Sequence, residues 1–192
     1  MLILSPPCRM YSKLMQNLNF GKMDPTKKAR QWADAHTMLD FAMHLARLQH
    51  TARRLFVFEH PSSASSWQRN SVVNMKNLPD VWTCVFDQCR FGLQAPRNGK
   101  PLRKKTRFLT NSIAVWKAFN QKFCNCQVPH QPILGSDHGV QISMWAAKYP
   151  PMLCSMLVQC VIEEPRGSNQ SWTPWGTRLV PNSPGRGPAF RG

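Results

Sequence analysis

Short apolar runs alternate along the chain with longer stretches of helical period. Leu2-Ile3-Leu4 is an apolar run stopped by Ser5-Pro6-Pro7, the pattern of a short buried strand. Asp24-Pro25-Thr26 supplies a helix start, because proline in the first turn forfeits no helical hydrogen bond. From Trp32, the residues Ala35, Leu39, Ala42, Met43 and Ala46 recur at three- and four-residue steps, which predicts a helix to about Gln49. Leu55-Phe56-Val57-Phe58 predicts a second buried strand, ending at Glu59-His60-Pro61. Ser65 or Ser66 is placed to cap a helix through Met75, before Pro79. Val81–Phe86 predicts a third strand and Arg107–Thr110 a fourth. Ser112 then caps a helix carrying Ile113, Val115, Trp116, Phe119 and Phe123. Pro150-Pro151 opens a last helix, from Met152 to about Ile162. Strands alternating with helices predict an α/β domain with a largely parallel sheet, whose ligands bind beyond the carboxyl ends of the strands.

Composition narrows the class. The 192 residues carry 25 Lys and Arg against 9 Asp and Glu, a formal charge of +16, and 42% are hydrophobic. That apolar fraction excludes a wholly disordered chain. The length suits one domain, taken as 1–164, followed by a tail over 165–192. The tail holds five Gly, five Pro, four Arg and no acid, without periodicity, and is expected to be disordered. Its Trp172 and Trp175, beside Arg166, Arg178, Arg186 and Arg191, suit stacking on single-stranded nucleic acid or a plain extension. Without it the body still carries +12, densest at Arg97, Lys100, Arg103, Lys104, Lys105 and Arg107. A turn at Asn98-Gly99-Lys100-Pro101 makes this a basic loop suited to phosphate contact, with nucleic acid the expected partner. No run approaches the roughly 18–20 apolar residues of a membrane span. Met1–Leu4 lacks the basic flank and length of a secretory signal. An intracellular protein, nuclear or cytoplasmic, is therefore expected, and the seven cysteines are read as thiols.

Two loops at expected strand ends hold useful chemistry. A cysteine on the rigid Pro6-Pro7 loop, Cys8, is aimed like a nucleophile, and Arg9 would favour its thiolate. Against this stands the commoner fate of a free cysteine as a small buried hydrophobe. Glu59, directly after four apolar residues, has no obvious solvated face, so its bland reading is weaker; the alternative is a salt bridge to Arg53 or Arg54. Together, Cys8 and Glu59 suit attack on a heterocycle, which the acid would protonate or hydrogen-bond while the thiolate adds.

Pro6-Pro7-Cys8-Arg9-Met10-Tyr11-Ser12 resembles the Pro-Pro-Cys nucleophile loop of DNA cytosine-5 methyltransferases. Glu59-His60-Pro61 looks like their Glu-Asn-Val element, and Asp87–Gly92 sits where they have an aromatic-Gly segment. Lys104-Lys105-Thr106-Arg107 with Thr110-Asn111 resembles the phage-type version. The ordered set is most similar to methylase-like segments of mobile-element polyproteins, over about residues 2–160. The resemblance implies a partial Rossmann-like class I methyltransferase domain. It implies Cys8 as nucleophile toward carbon six of a flipped cytosine, Glu59 as its acid partner, and S-adenosylmethionine as methyl donor. Lys105 or Arg107 would hold the base carbonyl or a phosphate, with Arg103 and Lys104 beside them on nucleic acid, and Ser12 would help hold the nucleophile loop. That family places its Gly-rich cofactor half before the Pro-Pro-Cys loop. Only four residues precede Ser5, so a truncated form is expected, active when the missing half is supplied. His60 and Pro61 stand where the family has Asn and Val, removing an amide that orders its site. The alternative is a basic nucleic-acid-binding module, or degenerate mobile-element fragment, without catalysis. An amino-methyltransferase ranks last, since it wants an aromatic at position 8.

Cys124-x-Cys126-x3-His130, with His138 eight residues on, has zinc-ligand chemistry. The Cys-x-Cys spacing departs from the usual pattern, so no metal is assigned and Cys124 is expected to pack after a helix end. Cys84, Cys89, Cys154 and Cys160, with Trp32, Trp82, Trp116 and Trp145, are expected in the core. His36, His44 and His50 are expected on the surface of one helix.

Overall fold

The computed structural model describes residues 1–164, so the expectations for the tail lie outside the described residues. Strand β1 (Leu2–Leu4) leads through the Pro-Pro loop and a 3-10 turn (Arg9–Tyr11) into helix α1 (Lys13–Asn19) and the long helix α2 (Pro25–Thr51). Then come β2 (Phe56–Pro61), a 3-10 turn (Ser65–Gln68), α3 (Asn70–Lys76), β3 (Trp82–Asp87), β4 (Lys105–Thr110) and α4 (Ile113–Phe119). A small hairpin, β5 (Ser136–Asp137) and β6 (Val140–Gln141), precedes α5 (Ile142–Trp145) and α6 (Pro151–Glu163).

The predicted starts of α2 and α4 stand as hydrogen bonds. The Asp24 carboxylate accepts from the Lys27 amide at 2.8 Å, and the Ser112 hydroxyl accepts from the Val115 amide at 3.1 Å. The helix after β2 starts later than predicted, because Ser66 is buried and bonded to His60 instead of capping. Helix α1 was not predicted; it has no acid in its first turn and no side-chain cap. Glu59, His60 and Pro61 lie within β2 rather than beyond it.

The main sheet has the order β1-β2-β4-β3. β1 and β2 are parallel, whereas β4 runs antiparallel to both neighbours, so the sheet is mixed rather than largely parallel. The cause lies in the connection from Gln88 to Lys104. It contains no helix able to carry the chain back across the sheet, only a 3-10 turn and a reversal at Gly99, where φ is 68°. The expected phosphate loop is therefore an anchored turn. Its Arg97 and Asn98 amides donate to the buried Asp137 carboxylate at 2.9 and 3.1 Å.

Alternating residues of the strands feed two cores. Phe56, Phe58 and Leu109 pack with Leu39, Met43 and Ala46 of α2 and with Val72 and Met75 of α3. Val57, Phe86 and Phe108 pack with Val115 and Phe119 of α4 and Leu153 and Leu157 of α6. Helices thus cover both faces of the sheet. A smaller cluster of Leu93, Ala95, Leu102, Ile142 and Ala146 underlies the Gln88–Lys104 connection.

Some expected core residues sit at its margin or outside it. Trp32 and Trp116 are half-buried and pack against the two cores, Trp82 is half-buried and Trp145 is exposed; Trp67 is the buried tryptophan among the described residues. Cys154 is exposed on α6, whereas Cys84, Cys89 and Cys160 are buried. Phe123 lies beyond α4, which ends when Asn120 turns extended. Of the three histidines on α2, His44 is exposed and His36 and His50 are half-buried, His36 against Trp32 and Tyr11. Among the described residues, no helix is long and apolar enough to cross a membrane.

Candidate functional site

The parallel register pairs Leu4 with Phe58, so the next residues, Ser5 just beyond β1 and Glu59 within β2, lie side by side. The Ser5 hydroxyl donates to Glu59 Oε2 at 2.8 Å. With that proton committed, the Tyr149 hydroxyl, 2.7 Å away, is the donor to Ser5. Lys104 Nζ lies 3.6 Å from Glu59 Oε1, which makes no hydrogen bond among the described residues. A buried carboxylate thus has one oxygen held and the other facing an ammonium group. Neither Arg53 nor Arg54 pairs with it among the described residues; the cation comes from the basic segment.

Cys8 stands at the end of the Pro-Pro loop, its carbonyl accepting from the Tyr11 amide at 3.0 Å. Burial pushes the Cys8 thiol up, the Glu59 charge pushes it further, and Lys104 pulls it back in part. Arg9, the cation suggested by sequence, is not among the charges acting on the thiol; Lys104 is. His60 fixes the loop. A carbonyl can only accept, so Nε2 carries the proton donated to Pro6 at 3.0 Å, and Nδ1 accepts from the Ser66 hydroxyl at 2.6 Å. Burial lowers the His60 pKa, and the neutral ring matches both bonds. The imidazole thus uses one donor and one acceptor to tie β2 to the Pro-Pro loop and to the following turn. Ser12 acts through its backbone: its carbonyl accepts from Gln16, and its hydroxyl caps nothing. A cavity of about 180 Å³ lies between this loop and α2, lined by Pro7, Arg9, Met10, Asp34 and Met38. Cys8 and Glu59 do not line it.

No family model matches the chain, and no curated protein or solved structure matches it either.

The basic residues separate into distinct environments. Lys104 joins Glu59, and Arg103 pairs with Asp87 at 3.3 Å. Arg107, opposite His60 in the sheet, places its guanidinium 4.9 Å from the Trp67 ring centre. Its Nε is buried without a hydrogen bond among the described residues, and burial lowers its pKa. Lys105 is exposed, 5.3 Å from the Phe123 ring centre. Of the predicted nucleic-acid set, only Lys104 is brought to Cys8 and Glu59. Sequence reasoning missed Ser5 and Tyr149: Ser5 was visible as the first residue beyond β1, whereas nothing local marked Tyr149.

A second cluster forms beyond the carboxyl end of β3. Cys89, Cys124, Cys126 and His130 bring their ligand atoms within 4.8 Å of one another. His138, the fourth residue of the sequence pattern, is elsewhere; its ring is exposed, 3.8 Å from Asp137. Cys89 takes its place, although it reads as a core residue from sequence.

Proposed function

We propose that the chain is the base-handling part of a DNA cytosine-5 methyltransferase-like domain, Rossmann-like in fold, with Cys8 as nucleophile and Glu59 as its acid partner. The observation that carries this reading is the buried Glu59, with Oε1 unbonded, beside the Cys8 loop on the adjacent parallel strand. A carboxyl in that position can bond the ring nitrogen of a flipped cytosine while the Cys8 sulfur adds to carbon six. The addition forms a carbon–sulfur bond, and a proton reaches the ring nitrogen through Glu59. Carbon five then becomes nucleophilic, takes a proton from solvent and gives up its original one. Elimination of the Cys8 thiolate, with the ring-nitrogen proton returned to Glu59, restores the ring. Lys104 balances the Glu59 charge and favours the thiolate, and His60 holds the loop so that the sulfur stays aimed.

S-adenosylmethionine would supply the methyl group that carbon five accepts in the full reaction. The described residues do not fit it: Gly92, Gly99, Gly135 and Gly139 lie in turns, and none leads from a strand into a helix.

Hydrogen exchange at cytosine carbon five needs no methyl donor and so tests this reading on the chain alone. Duplex DNA tritiated at that carbon should release tritium to water in the presence of the protein. Cys8→Ser should abolish release, and Glu59→Gln should cut it at least tenfold, with folding checked by circular dichroism. Release that survives Cys8→Ser would overturn the reading. DNA binding without any release would favour the second reading, a basic module that binds nucleic acid without chemistry. The observation on its side is the Cys8 thiol, which its surroundings push upward.

A further inference from the structure

We propose that Cys89, Cys124, Cys126 and His130 form a structural zinc site. Three thiols and an imidazole are a complete donor set for this ion, and a closed four-ligand shell marks a structural rather than a catalytic site. Zinc–sulfur bonds of about 2.3 Å in a tetrahedron set the thiolates about 3.8 Å apart. The ligand atoms already lie within 4.8 Å of one another, so closing onto the ion needs shifts of about an ångström. His130 Nε2 faces Cys124 Sγ at 3.2 Å.

The surroundings fit a thiolate cluster. The Cys126 amide donates to Cys124 Sγ at 3.3 Å, a bond that favours the charged sulfur. The Cys124 amide is itself held by Asp87 Oδ2 at 3.0 Å, and Asp87 pairs with Arg103. Binding would release three thiol protons and leave a site of charge −1, compatible with a chain of +16.

The fold also gives the ion something to do. Between the end of α4 at Phe119 and the start of β5 at Ser136 there is no helix or strand. Phe123, Val128 and Leu134 in this stretch are exposed, at 45%, 56% and 49%, so apolar burial holds it weakly. Three ligands come from this stretch and the fourth from the 3-10 turn after β3. A metal would therefore staple the irregular segment to the sheet. The Cys-x-Cys spacing, unusual for zinc, is completed by a cysteine 35 positions earlier that no local pattern could supply.

The test is metal content and cobalt substitution of the full chain. Protein purified under reductant without chelator should carry about one zinc per chain. Cobalt(II) in its place should give intense visible bands of a tetrahedral ion with sulfur-to-metal charge transfer. Cys89→Ser, Cys124→Ser and His130→Ala should each lower cobalt affinity at least tenfold, while His138→Ala and Cys154→Ser leave it unchanged. The cobalt spectrum of the unmutated chain reports the donor set even if a variant fails to fold. Substoichiometric zinc, weak octahedral cobalt bands, loss of affinity in His138→Ala, or a metal-free Cys89–Cys124 disulfide would each overturn the proposal.

Discussion

His60 does with one ring what its neighbours cannot do alone: it joins β2 to the Pro6 carbonyl and to Ser66 in the turn that follows. Tyr11 and Phe58 pack their rings against it, with centroids 5.8 and 4.9 Å away. Its lowered pKa ties stability to pH with a definite sign. The unfolded chain takes up this proton near pH 6.5, the folded ring only at lower pH. Unfolding therefore binds a proton in acid, so the contribution is complete above about pH 7 and is lost as pH falls below about 6.5. His36, also lowered by burial, acts in the same direction. Urea midpoints between pH 7.5 and 5.5 should fall for the unmutated chain and fall less for His60→Asn, which keeps an amide in place of the ring. An equal fall would place the effect elsewhere. Cys8 and Glu59 were legible in sequence because Glu59 ends an apolar run and Cys8 closes the Pro-Pro loop that follows another. Lys104 as their partner was not, since the run from Arg97 to Arg107 offers six cations without local distinction. Only tertiary pairing separates them.

Among the elements, the four strands of the main sheet and the long helices were legible because their apolar periods run unbroken, and the caps at Asp24 and Ser112 are local chemistry; the β5–β6 hairpin and α5 were not, being too short to show a period. The direction of β4 was not, since direction depends on what the connection lacks rather than on the strand itself. Phe119 illustrates how packing, not pattern, ranks residues of one stripe. Its ring contacts those of Phe86, Phe91 and Phe108, with centroids 5.0, 4.9 and 5.2 Å away, where α4 meets the sheet. Phe123, read from sequence as part of the same stripe, is 45% exposed. Phe119→Ala should cost about 3–5 kcal/mol in chemical denaturation, through lost transfer energy and the cavity left behind. Phe123→Ala should cost under about 1 kcal/mol, as surface substitutions do. Similar costs for the two would contradict this division of the stripe.

At the scale of the molecule, the excess of positive charge is distributed by the fold. Lys104 and Arg103 are engaged by Glu59 and Asp87, leaving Arg97, Lys100 and Lys105 as the exposed cations of the basic segment without such a partner among the described residues. Each phosphate contact contributes a slope of roughly 0.9 to the dependence of log affinity on log salt. Neutralising Lys100 and Lys105 together should therefore reduce the slope for duplex DNA by roughly 2, read by fluorescence anisotropy. The same pair of changes at Lys104 and Arg103 should reduce it less. An unchanged slope after removing Lys100 and Lys105 would mean that nucleic acid engages another face.

The antiparallel β4 also orders events in time. It is the last of the four strands to leave the ribosome, yet it lies between β2 and β3. Until residue 105 emerges, β1 with β2 and the lone β3 are separate pieces, each with an unpaired edge facing the place β4 will fill. Pairing of β4 with β2, whether before or after β4 pairs with β3, completes the sheet and brings Lys104 to Glu59. Until then the edges of β2 and β3 that face β4 are open, and assembly of the site coincides with the step that closes them.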